Sequence, residues 1–278
     1  MRNTGLLVGA LLISGGEFLS FVHILPWSQF VFPMFWYGYI AVLDGLNLRF
    51  HGFSLISDRP KEFLFMLPVS ALYWYIFEGY NVVIQNWTYV NVSSERWLEI
   101  ALRILSFATV IPAVYETGDL FVGFTWSSRH RSAKGRIPRG WSILSLVVGS
   151  FFCVLPLLWP KFFFWSLWLG LFFLLDPLNN HLGRASILRD WQLRELRRTH
   201  TLLAAGYTCG FFWEFWNYWA YTKWVYSVPI PEMPRIFEMP ALGFLGFGPF
   251  ALETFSFWTF VWGERRKDLR VGLRDRLS

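Results

Sequence analysis

Long apolar segments alternate with short polar connections along the chain. About twenty apolar residues are needed for a helix to cross the hydrocarbon core of a bilayer. The segment at 141–159 is apolar on every face, whereas strands of a membrane barrel would alternate polar and apolar residues. Eight segments have this character, at 5–25, 28–47, 63–86, 102–125, 141–159, 161–178, 200–221 and 241–262. The pattern predicts an all-α integral membrane protein with eight transmembrane helices.

Polar motifs of the first half recur in the second half in the same order. The Asp-x-x-Asn element at 44–47 recurs at 176–179, and three further matches pair Glu78 and Asn81 with Glu214 and Asn217, Trp87-Thr-Tyr89 with Trp224-Val-Tyr226, and Glu116 with Glu253. An even number of spans in each half keeps both halves in one orientation. We therefore expect two parallel four-helix repeats, at 1–140 and 141–278.

Composition and charge agree with a lipid environment. Hydrophobic residues make up 54% of the 278 residues and charged residues only 16%, which excludes disorder and most soluble folds. Most of the 25 Lys and Arg residues follow the second, fourth, sixth and eighth spans. This asymmetry predicts that both termini are cytoplasmic, and we expect a bacterial inner membrane. We expect no nucleic-acid partner, and the oligomeric state stays open.

The first segment is predicted to be a retained span. Glu17 lies in its middle and no small-residue cleavage site follows it, which argues against a signal peptide.

The four glutamates of the repeated motifs are predicted to lie inside spans. A carboxylate in the bilayer costs about 2.5 to 3.5 kcal/mol on insertion scales, so each requires an explanation. Asn81 and Asn217 follow Glu78 and Glu214 by one helical turn, on the same face. These six residues are our catalytic candidates: Glu78, Asn81, Glu116, Glu214, Asn217 and Glu253. The alternative interpretation is that they hydrogen-bond helices together.

Aromatic residues are concentrated around the second pair of acids. A protonated carboxylic acid in an apolar aromatic cavity can protonate an olefin, and ring faces stabilise the resulting carbocation. We expect Glu214 to be the proton donor and Glu253, beside the Thr254 hydroxyl, to be the acceptor in a shared cavity. The candidate substrate-binding residues are Trp213, Trp216, Trp224 and Tyr226.

These residues resemble a known family. Trp213-Glu214, the Trp224-Val-Tyr226 element and the Pro249-containing stretch before Glu253 are similar to motifs of the membrane-integral lycopene cyclase domain. The resemblance covers residues 200–262 and, more weakly, 63–125. It implies redox-neutral cyclisation of a polyene or related isoprenoid, with the lipid bilayer and a hydrophobic lipid as partners and no cofactor.

The Asp-x-x-Asn elements have two interpretations. Their oxygens, on Asp44, Asn47, Asp176 and Asn179, are weak candidates for binding Mg²⁺ and a prenyl diphosphate beside the basic loops. Asp and Asn near helix ends also cap backbone groups, which is the structural alternative.

Three classes of function therefore remain open. They are an acid-base enzyme acting on an isoprenoid or related lipid, a transporter or channel with carboxylates as proton or cation sites, and a structural subunit of a membrane complex.

Overall fold

A computed structural model of the chain describes residues 2–122, 137–229 and 233–263, and this part is mostly helical. The helices are α1 (Arg2–Val22), α2 (Val31–Phe50), α3 (Leu55–Asp58), α4 (Pro60–Ile84), α5 (Arg96–Phe107), α6 (Val110–Val122), α7 (Arg139–Leu158), α8 (Pro160–Phe163), α9 (Leu167–His181), α10 (Ile187–Gln192), α11 (Arg197–Trp219) and α12 (Phe247–Trp262). The strands are β1 (Trp87–Val90), β2 (Lys223–Tyr226), β3 (Arg235–Ile236) and β4 (Met239–Pro240). Short 3₁₀ helices occur at Trp27–Gln29, Phe164–Ser166 and Ala241–Gly246.

Four helical segments in the described part are long and apolar enough to cross a membrane. They are Thr4–Val22, Arg96–Val122, Arg139–Leu158 and Pro160–His181. These match the first, fourth, fifth and sixth predicted spans. The other four predicted spans fall on α2, α4, α11 and α12, so their helical structure is confirmed, while their crossing of a membrane stays a prediction.

Two short antiparallel ladders, β1 with β2 and β3 with β4, were not part of the all-α prediction. The predicted topology depends largely on the basic residues around 133 and after 264 and on Met1, which lie outside the described residues.

The chain divides into two compact units. The first comprises Met1–Leu120 and Thr208–Phe244, and the second comprises Phe121–Tyr207 and Leu245–Ser278. In the first unit α1 packs along α2, where a Cβ on Gly9 would lie 2.6 Å from the carbonyl oxygen of Gly38. Large side chains fill the core around this contact, including Phe35, Trp36 and Tyr73.

In the second unit α9 packs against both α7 and α12. A Cβ on Gly206 would clash with the carbonyl oxygen of Phe247, so glycine allows α11 and α12 to approach closely here. Phe172, Phe255 and Trp258 are fully buried in this unit.

Candidate active site

The candidate site lies in the first unit, below the β1–β2 ladder. Trp87 pairs with Tyr226, and Tyr89 pairs with Trp224. Side chains directly opposite in an antiparallel ladder share a face, as do residues two apart on one strand. All four rings therefore project from one face of the ladder. The central pair is Thr88 with Val225, which are equivalent residues of the two sequence repeats.

Glu78 in α4 accepts three hydrogen bonds on a single oxygen. Trp74 Nε1 donates to Glu78 Oε1 at 3.0 Å, and Trp87 Nε1 donates at 3.1 Å. The Tyr89 hydroxyl donates to the same oxygen at 2.6 Å. The Glu78 side chain is half-buried. Three donors converging on one carboxyl oxygen stabilise a negative charge there.

Glu214 in α11 has a sparser set of partners than Glu78. The Tyr226 hydroxyl donates to Glu214 Oε1 at 2.7 Å and itself accepts from Trp224 Nε1 at 2.7 Å. In the second repeat the residue equivalent to Trp74 is Gly210, so no indole donor exists at this position. Glu214 is fully buried, and its Oε2 has no hydrogen-bond partner among the described residues.

Asn81 and Asn217 position the strands. Asn217 Nδ2 donates to the Trp224 carbonyl at 2.9 Å, and the Trp224 N–H donates to Asn217 Oδ1 at 2.8 Å. In the first copy Asn81 Nδ2 donates to the Trp87 carbonyl at 2.8 Å, and Asn81 Oδ1 accepts the Trp87 N–H at 3.3 Å. Each Asn thus fixes the strand that carries the Trp and Tyr over its glutamate. A catalytic role for either Asn stays a prediction.

Trp213 and Trp216 are buried against α2. Trp216 stacks on Phe35 with ring centroids 4.9 Å apart, and Trp213 contacts Trp36 at 5.0 Å. Trp216 Nε1 also donates to Glu17 Oε1 at 3.1 Å, which gives the acid of the first segment a partner. These contacts place both indoles in the packing between helices, while Trp224 and Tyr226 lie against the Glu214 carboxyl.

The two ladder tyrosines are held as neutral donors. Burial, followed by the negative charge of Glu78, raises the pKa of Tyr89 well above its usual value. Burial and the neighbouring Glu214 do the same to the pKa of Tyr226. Both phenols therefore keep their protons at neutral pH and donate to the glutamates.

Glu116 belongs to a different buried cluster of the first unit. Asn47 Nδ2 donates to Glu116 Oε2 at 2.6 Å and to the Glu116 carbonyl at 3.0 Å. Glu116, Asn47 and Asp119 are fully buried, and Arg59 lies 3.7 Å from the Asp119 carboxylate. Glu116 Oε1 and Asn47 Oδ1 have no hydrogen-bond partner in the described ranges.

Glu253 lies in the second unit and is fully buried. Its Oε1 accepts the backbone N–H of Leu171 at 2.7 Å, and its Oε2 has no partner within the part of the chain that the structure describes. The Thr254 hydroxyl donates to the Phe250 carbonyl at 2.8 Å, within its own helix. The expected cavity shared by Glu214 and Glu253 stays a prediction.

The two Asp residues of the Asp-x-x-Asn elements cap the short helices that follow them. Asp176 accepts the N–H groups of Ile187 at 2.8 Å and Leu188 at 2.9 Å, and the Ser186 hydroxyl at 2.6 Å. Asp44 accepts the Ile56 N–H at 2.9 Å. Among the described residues there is no group of three or more His, Cys, Asp or Glu that can hold a metal ion. The contacts favour the structural interpretation of both elements.

Several site residues were not among the sequence candidates. Trp74, Trp87 and Tyr89 contact Glu78, and the repeat itself held the signal for the last two, because they match Trp224 and Tyr226. Glu17 accepts a hydrogen bond from Trp216, which lies 199 positions away in the sequence. No local sequence pattern predicts such a contact.

No model of a known protein family, no curated protein and no solved structure matches this chain. The interpretation of function therefore depends on the residues and contacts described above.

Proposed function

We propose that this protein is an integral-membrane enzyme that acts on an isoprenoid or related lipid by acid-base chemistry, with Glu214 as the proton donor. The observation that carries the proposal is the state of Glu214. It is fully buried, held through Oε1 by Tyr226, and its Oε2 has no partner among the described side chains and backbone groups. A buried acid with one oxygen oriented and the other unengaged suits proton transfer to a bound apolar molecule.

The proposed reaction is a redox-neutral cyclisation. A proton moves from Glu214 to an alkene carbon, and a neighbouring double bond attacks the cation to form the ring C–C bond. Loss of a proton from an adjacent carbon then restores a double bond, so the product is an isomer of the substrate. The rings of Trp224 and Tyr226 lie beside the acid, where aromatic faces stabilise a cation. The resemblance to the lycopene cyclase domain supports this reaction class.

The proposed architecture is eight transmembrane helices in two parallel four-helix repeats, in a bacterial inner membrane with both termini cytoplasmic. Four helices with the required length and apolar character support the membrane setting. The pairing of Thr88 with its repeat equivalent Val225 supports the duplication, since an antiparallel ladder centred on equivalent residues has local two-fold symmetry.

Lycopene, a linear polyene, is the probe for this proposal. Membranes containing the protein should convert it to an isomer of unchanged mass and altered absorption spectrum. Glu214→Gln keeps the size of the side chain and removes its acidic proton, so it should abolish conversion. Glu95→Gln is the matched control, because Glu95 is exposed and lies outside the site. No isomer from the unaltered protein would refute lycopene cyclisation.

The cluster around Glu116 supports a second candidate, a transporter with a proton or cation site. Unengaged oxygens on Glu116 and Asn47, buried beside Asp119, are typical of such sites within membranes. Under this alternative, reconstituted vesicles would show a proton or cation flux that Glu116→Gln removes and Glu214→Gln retains. If neither flux nor conversion is found, a structural role is favoured.

A further inference from the structure

We propose that Glu78 and Glu214 form an unlike pair, in which Glu78 is the ionised base and Glu214 the protonated acid of one reaction. This inference rests on the proposed acid-base function and extends it by assigning Glu78 as the proton acceptor, in place of the Glu253 expected from the sequence. The two glutamates are repeat equivalents, and both lie beneath the same ring-bearing face of the β1–β2 ladder. Their surroundings differ in two respects.

The first difference is the number of donors. Glu78 Oε1 accepts from Trp74, Trp87 and Tyr89, whereas the shortest hydrogen bond to Glu214 comes from the Tyr226 hydroxyl at 2.7 Å. In the second repeat the Trp224 indole donates to the Tyr226 hydroxyl at 2.7 Å, and no residue replaces the Trp74 indole because Gly210 stands at that position. Hydrogen bonds donated to a carboxylate favour its charged form, so the first copy favours charge more strongly.

The second difference is solvation. Glu78 is half-buried, whereas Glu214 is fully buried. Removing a carboxylate from water without pairing it is costly, so complete burial favours the neutral acid at Glu214.

This pair gives the cyclisation a complete proton balance. Glu214 delivers the proton that starts ring closure, and Glu78 accepts the proton that the cation loses. The half-buried Glu78 exchanges this proton with water, and a proton then passes from Glu78 to Glu214 before the next turnover. Tyr89 and Tyr226 are diagonal neighbours on the ladder, a separation that long side chains can bridge, and each phenol contacts one of the two acids.

Infrared spectroscopy tests the pair without an activity assay. The unaltered protein should show the carbonyl band of a protonated carboxylic acid, and this band should be missing from the spectrum of Glu214→Gln. Glu78→Gln should lose a carboxylate band, as should the exposed control Glu95→Gln. Loss of a carboxylic-acid band in Glu78→Gln, or of only a carboxylate band in Glu214→Gln, would overturn the inference.

Trp74→Phe provides a second test if Glu78→Gln does not fold. It removes one of the three donors and should shift the carboxylate band of Glu78, and an unchanged band would contradict the assignment. With lycopene, Glu78→Gln should change the double-bond position in the product or stop its release. If the unaltered protein makes no product, the cyclase proposal fails while the infrared result still decides the pair.

Discussion

The Glu78 and Glu214 regions share a sequence motif, yet they hold their carboxyl groups differently. Around Glu78, the Trp74 indole completes a set of three donors on a half-buried carboxyl group. In the Glu214 region Gly210 stands at the position of Trp74, and the Trp224 indole donates to Tyr226. The comparison teaches that the same motif can surround a carboxyl group with different donors when one neighbouring side chain changes.

Removal of the tyrosine hydroxyls should affect the two copies unequally, and this is the largest expected difference. Tyr226→Phe removes the hydroxyl that orients the proton donor Glu214, and a hydrogen bond to a neutral group is worth about 0.5 to 1.5 kcal/mol, or roughly twofold to tenfold in rate. Tyr89→Phe leaves two indole donors that hold the Glu78 carboxylate in place and should cost about twofold or less. Initial rates of lycopene conversion measure both. Equal losses would remove the distinction between the copies.

The strand-fixing asparagines should differ in their effect on stability. Asn217→Ala leaves the N–H and carbonyl of Trp224 unpaired beside a fully buried position, at about 1 to 3 kcal/mol for each buried group. Asn81 accepts the N–H groups of Asn86 and Trp87 and donates to the Trp87 carbonyl, and both of these residues are buried, so Asn81→Ala leaves three buried groups unpaired and should cost more. Thermal unfolding of the two variants in one detergent tests this order. A larger destabilisation by Asn217→Ala would contradict it.

Much of the fold could be predicted from sequence, whereas the ladder that builds the site could not. Long apolar segments carry a strong helical signal, so all eight predicted spans fall on helices. A four-residue strand has too few residues for a periodic signal, and β1 pairs with a segment more than a hundred residues away. The repeat predicted that Glu78 and Glu214 are equivalent, and each of them accepts a hydrogen bond from a tyrosine of the ladder. The number of donors on each depends on side-chain geometry, which the sequence motif does not encode.

Stability at high pH should decrease because of the ladder tyrosines. Burial raises the pKa of Tyr89 and Tyr226 well above the usual value near 10, so the folded protein keeps two protons that the unfolded chain releases. The free energy of unfolding should therefore fall as pH rises above about 10, and less steeply in Tyr226→Phe. Unfolding midpoints across this range, together with absorbance of phenolate, provide the measurement. An equally steep fall in Tyr226→Phe would exclude Tyr226 as a contributor.

The capping aspartates are expected to give the smallest effect. All of the Asp176 contacts described above occupy its carboxylate oxygens with donors from the protein. A ligand that binds only the folded state raises the unfolding midpoint. Addition of Mg²⁺ or of a chelator should therefore leave the unfolding midpoint unchanged. The midpoint of an Asp44→Asn variant should also not respond to Mg²⁺ or to a chelator. A rise with Mg²⁺ that Asp176→Asn abolishes would restore the metal interpretation.

The most direct test of the central claim is to run the lycopene reaction in D₂O. If Glu214 exchanges its proton with solvent and delivers it to the alkene, each new ring should contain one deuterium, located by mass spectrometry and NMR. Glu214→Gln should form no ring, and Glu95→Gln should behave like the unaltered protein. Cyclised product without deuterium, or with normal deuterium from Glu214→Gln, would contradict Glu214 as the proton donor.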